Sequence, residues 1–334
     1  MTLRFKLAAL VLGATLGFSA PVMAQQPVNP TASSVQEQQL LDALKPGETI
    51  SGRISIPDAR AADLEKPSNK TWMGFNLGVS DRVMGVALVG TALALLVFFM
   101  VKGRLAIEAG RSGRTITRFN IFERTVHWTM ATSFIVLALS GINVAVGRYI
   151  VMPWLGYEAF GSLTYLGKLA HNYLAWPFML CVVITFVMWV RHNIPNRLDL
   201  RWLKEGGGLL VKGKHPPAKK FNAGQKIVFW GVVVGGGLVS ASGLLLMFPW
   251  FLNSATDWQL AQIAHALIAS GMMAMILGHI YIGTVGTEGA LDAMTSGQVD
   301  VNWAEQHHSL WLEEELARGA VQRRGPGGEV TPAE

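Results

Sequence analysis

Apolar and polar positions along this chain fall into long blocks, with no strand-like alternation and no two-faced helical period. Five apolar blocks, at about 80–101, 126–147, 169–190, 227–250 and 260–285, are each close to the length a helix needs to cross a bilayer. A shorter block, Leu7 to Ala20, follows Arg4 and Lys6 and precedes Val22-Met23-Ala24. That order predicts a cleaved signal peptide over 1–24. Residues 25–78 are rich in Gln, Pro, Ser and Asp without a strong period, and read as an exported, largely irregular extension.

The connections between blocks set the expected orientation. Lys102, Arg104, Arg111, Arg114, Arg118 and Arg124 lie between the first and second spans, and a second basic loop runs from Arg191 to Lys226. The alternate loops hold only Arg148 and Lys168 in one case and no basic residue in the other. Cytoplasmic loops collect Lys and Arg, so both basic loops and the C-terminus are expected in the cytoplasm. An exported N-terminus agrees with that independently. The net charge of +6 is thereby explained without nucleic acid.

Composition narrows the chemistry. With 51% hydrophobic and 15% charged residues among 334, the chain is of membrane class. Its one cysteine, Cys181, excludes disulfides within the chain, thiolate-held iron–sulfur clusters and CxxCH haem attachment. Any haem must be held non-covalently.

Four of the eight histidines sit within the spans, where ionisable groups are costly and mark function. His265 and His279 are fourteen residues apart on the last span. At about 100° and 1.5 Å per residue they share a helix face to within roughly 40° and stand about 21 Å apart. His127 opens the second span beside a basic loop, and His171 opens the third at the opposite surface. Depth therefore pairs His171 with His265 and His127 with His279, each pair clamping one iron. Two axial imidazoles leave no site for oxygen, so such haems transfer electrons. A lone membrane histidine can instead simply bond a neighbouring helix; the two-and-two match argues against that here. Gly141 and Gly243, in SG pairs, could let a macrocycle approach the backbone. The remaining four, His192, His215, His307 and His308, read as solvated or partner-facing.

Other features take plainer readings. The stretch FNAGQK, Phe221 to Lys226, puts Asn222, Gly224 and Gln225 at the membrane surface near the depth of His279. These polar groups could bond a quinone carbonyl, or Asn222 could simply cap the fourth helix; the roles are compatible. Met272, Met273 and Met275 are assigned to packing. The tryptophans at 128, 154, 176, 189, 230 and 250 fit an interfacial belt. No nucleophile–base set or phosphate-binding loop is found, and no catalytic residue is assigned.

From about Thr117 to Leu316 the chain resembles the gamma subunit, a dihaem cytochrome b, of membrane-bound formate dehydrogenase. The matching motifs are RFNIFERTVHW around His127, LAHNYLAWPF around His171, RHNIPNRLDLRWL at 191–203 and KKFNAGQKIVFW at 219–230. The His265/His279 helix and VNWAEQHHSLW at 301–311 complete the series. Related dihaem cytochromes of nickel–iron hydrogenases and thiosulfate reductases share the histidine layout but match those loops less well.

The resemblance implies an all-α integral membrane protein with a four-helix bundle at 117–290 holding two haem b groups. His171 and His265 would bind the periplasmic haem, and His127 and His279 the cytoplasmic one. Asn222, Gly224, Gln225 and His279 match the quinone pocket, for menaquinone or ubiquinone. The implied partners are an iron–sulfur beta subunit and a molybdenum- or tungsten-containing alpha subunit that itself oxidises formate. The setting is the bacterial inner membrane. The short family form lacks the signal peptide, the extension and the span at 79–102, which is expected outside the bundle; 291–334 reads as a cytoplasmic tail. Two other readings stay open: a dihaem subunit serving a hydrogenase or another molybdoenzyme, and a non-redox anchor or transporter.

Overall fold

The computed structural model describes residues 80–208 and 213–319, with the backbone of 321–324 and 330–332. The expected signal peptide and exported extension lie outside the described residues. Among these residues five helices are long and apolar enough to cross a membrane. They are α1 (Asp81–Lys102), α2 (Ile121–Ile150), α3 (Met152–Trp189), the pair α5 (Ala223–Trp230) and α6 (Gly236–Met247), and α7 (Ala255–Tyr281). A π turn at Gly231–Gly235 joins α5 to α6 into one span. The short amphipathic α4 (Arg197–Lys204) precedes them. Much of the spans' outer surface is exposed and apolar, as at Val86, Leu139 and Val187. Such a surface suits lipid, where each helix satisfies its own backbone polar groups.

Helices run past the apolar windows because hydropathy reports the oil-soluble stretch and not the helix ends. Asn120 caps α2 seven residues before His127, in a reciprocal box with Glu123. The third span was expected to open beside His171, yet α3 is continuous from Tyr157 onward. Only Gly156, at φ 76°, separates it from the first turn of α3. His171 therefore lies well inside its helix.

α2 and α3 pack along one another, α6 packs against α3, and α7 packs against both α6 and α1. The first span thus lies on the outer side of the two-histidine helix. Tyr281 on α7 meets the edges of Phe98 and Phe99, with ring centres 6.3 and 6.4 Å away. Beyond the membrane stretch, Leu105 N–H donates to the Gly286 carbonyl and Glu288 N–H to that of Leu105.

The described residues at the end carrying the basic loops form a folded layer. After α8 (Asp292–Thr295), strand β2 (Gln298–Asp300) pairs antiparallel with β1 (Arg114–Thr117) and leads into α9 (Val301–Leu316). β3 (Val321–Arg324) and β4 (Val330–Pro332) extend the sheet in the order β2-β1-β3-β4. Ile116 and Val299 face one another in register, both fully buried. The Asp300 carboxylate accepts from Ser112 N–H and Gly113 N–H and caps α9 through Asn302 N–H. This layer corrects two expectations. His308 is fully buried, not solvated. Trp189 and Trp230 also leave the interfacial belt: their indoles donate to Glu123 Oε1 and the Asn193 carbonyl, while Trp154 and Trp250 remain exposed.

Candidate functional site

Two pairs of imidazoles sit inside the bundle. The ring centres of His127 and His279 are 6.2 Å apart, and those of His171 and His265 are 6.1 Å apart. Two imidazole nitrogens each about 2.0 Å from one metal, with ring centres roughly 1.1 Å beyond them, stand about 6 Å apart centre to centre. Both pairs fit that spacing. Helical period alone places them: His265 and His279 lie on one face of α7, which meets His171 of α3 near one end and His127 of α2 near the other.

The hydrogen bonds at one pair settle which nitrogen is free to ligate. His265 Nδ1 lies 3.1 Å from the Val239 carbonyl, which can only accept, so Nδ1 carries the proton and Nε2 the lone pair. Ser242 Oγ is 3.2 Å from the same Nδ1, and its own proton goes to the Leu238 and Val239 carbonyls. Ser140 repeats the arrangement on α2. Its Oγ donates to the Val136 and Leu137 carbonyls and accepts from His171 Nδ1 at 2.8 Å. Both rings thus present Nε2 as donors to a metal, with the second nitrogen anchored as metal-bound imidazoles require.

These serines are the first members of the two SG pairs, and the sequence reading assigned a role only to the glycines. A Cβ at Gly243 would lie 3.2 Å from His265 Cε1, and one at Gly141 would lie 3.7 Å from His171 Cε1. Small residue and hydroxyl together let each ring lie close against the neighbouring helix.

The other pair differs. His127 Nδ1 is buried with no hydrogen-bond partner, and its ring meets the edge of Trp128 at 5.2 Å. Between the pairs lies an apolar layer of Phe178, Val182, Val232 and Met272, with Phe134 against Phe178 at 5.9 Å. Phe134, Phe178 and Met272 each follow a histidine by seven residues, about two turns along the same face. Met272 and Met275 pack against Gly235 and Gly231, which agrees with a packing role.

At the start of α5, Asn222 and Gln225 form a reciprocal capping box: Gln225 N–H donates to Asn222 Oδ1 at 3.0 Å, and Asn222 N–H to Gln225 Oε1 at 3.1 Å. The helix-cap role is therefore real for both amide oxygens. A Cβ at Gly224 would press on the Trp202 ring at 2.9 Å, so glycine lets that indole lie against the helix start. Asn222 and Trp202 also line a cavity of about 400 Å³.

Arg118 was read only as a loop charge. It is 3% exposed, with its guanidinium 4.9 Å from the Trp311 ring centre and 5.3 Å from those of Phe119 and Trp303. Nη2 donates to the Lys220 carbonyl and to His308 Nε2, at 2.6 and 3.0 Å. His308 Nδ1 in turn donates to the Lys219 carbonyl at 2.8 Å, so His308 is neutral with Nε2 accepting. Burial pulls Arg118 down to about 9. Through the Lys219 and Lys220 carbonyls, Arg118 and His308 tie the approach to α5 to the end of β1 and to α9. The cluster is held by aromatic stacking, which no residue spacing in the sequence announces.

Residues 118–297, more than half of the chain and all four paired histidines, match the family model of prokaryotic cytochrome b561. The chain is 29% identical over 208 residues to the "Formate dehydrogenase, nitrate-inducible, cytochrome b556(Fdn) subunit" of Escherichia coli (strain K12), covering 60% of this chain and 92% of that protein. It is 29% identical over 202 residues to the "Formate dehydrogenase, cytochrome b556(fdo) subunit" of the same strain, covering 60% and 93%. A Haemophilus influenzae "Formate dehydrogenase, cytochrome b556 subunit" is 26% identical over 214 residues, covering 63% and 87%. With five apolar spans and imidazoles facing one another inside them, the chain is a multi-pass membrane protein that belongs to the prokaryotic cytochrome b561 family.

Proposed function

We propose that this chain is the cytochrome b (gamma) subunit of a membrane-bound formate dehydrogenase, passing electrons from a periplasmic iron–sulfur subunit to quinone on the cytoplasmic side. Membership of the cytochrome b561 family implies haem b binding. The single observation that carries the reading is the pair of imidazole pairs, each about 6 Å centre to centre, at two depths of one bundle. His171 and His265 hold the periplasmic haem, and His127 and His279 the cytoplasmic one. When bound, haem would supply one-electron transfer, with both imidazoles of each pair serving to hold it.

The chain's own residues do the rest. Ser140, Ser242 and the Val239 carbonyl fix the ring orientation at the outer pair. The apolar layer of Phe134, Phe178 and Met272 keeps water out between the pairs. Asn222, Gly224 and Gln225 bind quinone beside His279, with the Gln225 amide N–H group available once its oxygen serves the cap. The basic loops support an orientation with the C-terminus cytoplasmic. The relatives' names, all formate dehydrogenase cytochrome b556 subunits, support other formate dehydrogenase subunits as partners; in this reading those are an iron–sulfur subunit and a molybdenum- or tungsten-containing formate-oxidising subunit.

The experiment is a reduced-minus-oxidised optical spectrum with haem extracted and counted per chain. Two b-type haems are expected, falling to one in His265→Ala and one in His279→Ala. Two haems retained in either variant overturn the pairing, and a colourless protein overturns the electron-transfer reading. Reduction by formate in native membranes identifies the partner enzyme; reduction by hydrogen instead assigns the chain to a hydrogenase.

A further inference from the structure

Asn222 is one wall of the cavity of about 400 Å³, whose other walls include Trp202, Glu108, His215, Gln306 and His307. Three titratable groups of different depth therefore share one hollow with a residue of the proposed quinone pocket. Glu108 and His215 stand at its outer part, with side chains 41% and 29% exposed and His215 Nε2 3.1 Å from Glu108 Oε2. His307 is the inner group. Its Nε2 is buried with no hydrogen-bond partner, and its ring lies 5.1 Å from that of Trp303.

An unpartnered buried ring nitrogen is costly unless something fills the site. The position of this one gives it a use. Reduction of a quinone takes two electrons and two protons, forming two O–H bonds, and a bundle lined by apolar side chains supplies no protons. A cavity of this size holds several waters, which bridge polar groups too far apart to touch.

We propose that this cavity is the proton entry to the quinone pocket, with the Glu108–His215 pair as its mouth and His307 as the inner relay. The inference rests on the quinone reading given above. A proton taken up from the cytoplasm at Glu108–His215 passes to His307 Nε2, and from there to a reduced quinone oxygen, where the O–H bond forms. His307 returns to its neutral form and is recharged from the mouth. Lys102 and Arg104 line the same cavity, and Arg118, with His215, disfavours a resting imidazolium at His307 and so favours onward release of its proton. Burial, with His215 and Arg118, pulls His307 down to about 4, consistent with a group that holds a proton only in passage.

The test uses membranes holding the whole complex, with the haems reduced by dithionite and reoxidised in a stopped-flow instrument. One oxidant is a short-chain quinone, which needs protons; the other is ferricyanide, which needs none. His307→Gln is expected to slow reoxidation by quinone by about tenfold or more, with ferricyanide reoxidation unchanged and partial recovery in imidazole buffer. Glu108→Gln, at the exposed mouth and able to keep the bond from Gly213 N–H, is expected to shift the pH profile of the quinone reaction while sparing the ferricyanide rate. Wild-type quinone rates and pH profiles in both variants overturn the relay. Equal slowing with both oxidants also overturns it, because the damage is then structural. Gln225→Ala separates this outcome from failure of the quinone reading. If it alone slows the quinone reaction, the pocket stands and the relay falls; if all three variants match wild type, both fall.

Discussion

Ser140 Oγ stands 2.8 Å from His171 Nδ1, and because the serine's only proton is already given to its own helix, the hydroxyl must accept from the imidazole. Ser242 does the same to His265 at 3.2 Å. Both partners of one pair are therefore anchored from neighbouring helices, and the other pair has no matching serine bond. Outer-shell partners of a ligating histidine set its orientation and basicity.

Ser140→Ala is expected to weaken haem retention at the His171/His265 pair by about tenfold or more and to raise the potential of that haem, since a less basic imidazole stabilises ferric iron less. Ser242→Ala is expected to act in the same direction but less, because the Val239 carbonyl still accepts from His265 Nδ1. The second haem is expected to keep its potential. A redox titration of the two b-type bands in membranes checks this. Equal shifts of both bands would show that the serines act through general packing.

Much of this arrangement was legible in the sequence, and the parts that were not share a cause. Depth and helical period sufficed to pair His127 with His279 and His171 with His265, because a spanning helix carries its residues at fixed height. The SG repeats were visible, but which member mattered depended on a neighbouring helix's rotation, which no single segment encodes. His308 and Trp189 were misread for the same reason. Their burial comes from β1 and α9 folding back on the helix ends, a contact between segments about 190 residues apart at Arg118 and His308. The packing of α9 was not legible there because the helix carries charges along one side and tryptophans on the other, and hydropathy averages them away.

Arg118 makes the basic end one unit, and its loss tests that. Arg118→Met removes the donor to the Lys220 carbonyl and to His308 Nε2, leaving buried acceptors unpaired at a cost of about 1–3 kcal/mol. Arg118→Lys is not expected to rescue it, because an ammonium lacks the planar fork that stacks on Trp311, Trp303 and Phe119. Thermal unfolding followed by tryptophan fluorescence should show a lower midpoint for both variants, with the His171/His265 haem retained to a higher temperature than the other.

The Tyr281 hydroxyl is buried without a partner between α1 and α7, where its ring already meets Phe98 and Phe99. Tyr281→Phe removes that unsatisfied group and keeps the ring contacts. It is expected to be neutral or to stabilise by about 1 kcal/mol. Tyr281→Ala, which empties the space, is expected to destabilise by about 3 kcal/mol and to loosen α1 from the bundle. Protease sensitivity of residues 103–113 in detergent reads the difference; a destabilised Phe variant would point to a polar partner for the hydroxyl.

Acid should release α9 before it affects the spans. Burial, with His215 and Arg118 beside it, pulls His307 down to about 4, and burial next to Arg118 holds His308 well below 6.5 against the opposing bond to the Lys219 carbonyl. Both rings are neutral in the folded protein at pH 7. Between about 4 and 6.5 the unfolded chain binds more protons than the folded one, so stability rises with pH across that window. It is complete above pH 6.5 and is lost progressively as the pH falls toward 4. Arg118 contributes nothing to this limb. Its guanidinium, held near 9 by burial, stays charged throughout, and its burial cost lifts only at more alkaline pH. Hydrogen exchange of α9 amides should therefore reveal lower opening free energies at pH 5 than at pH 7, after correction for intrinsic exchange, while amides in the middle of α2 and α3 stay protected. An opening free energy for α9 that is flat across the window would mean that both rings keep ordinary proton affinities, and that the layer is held by its strands and tryptophans alone.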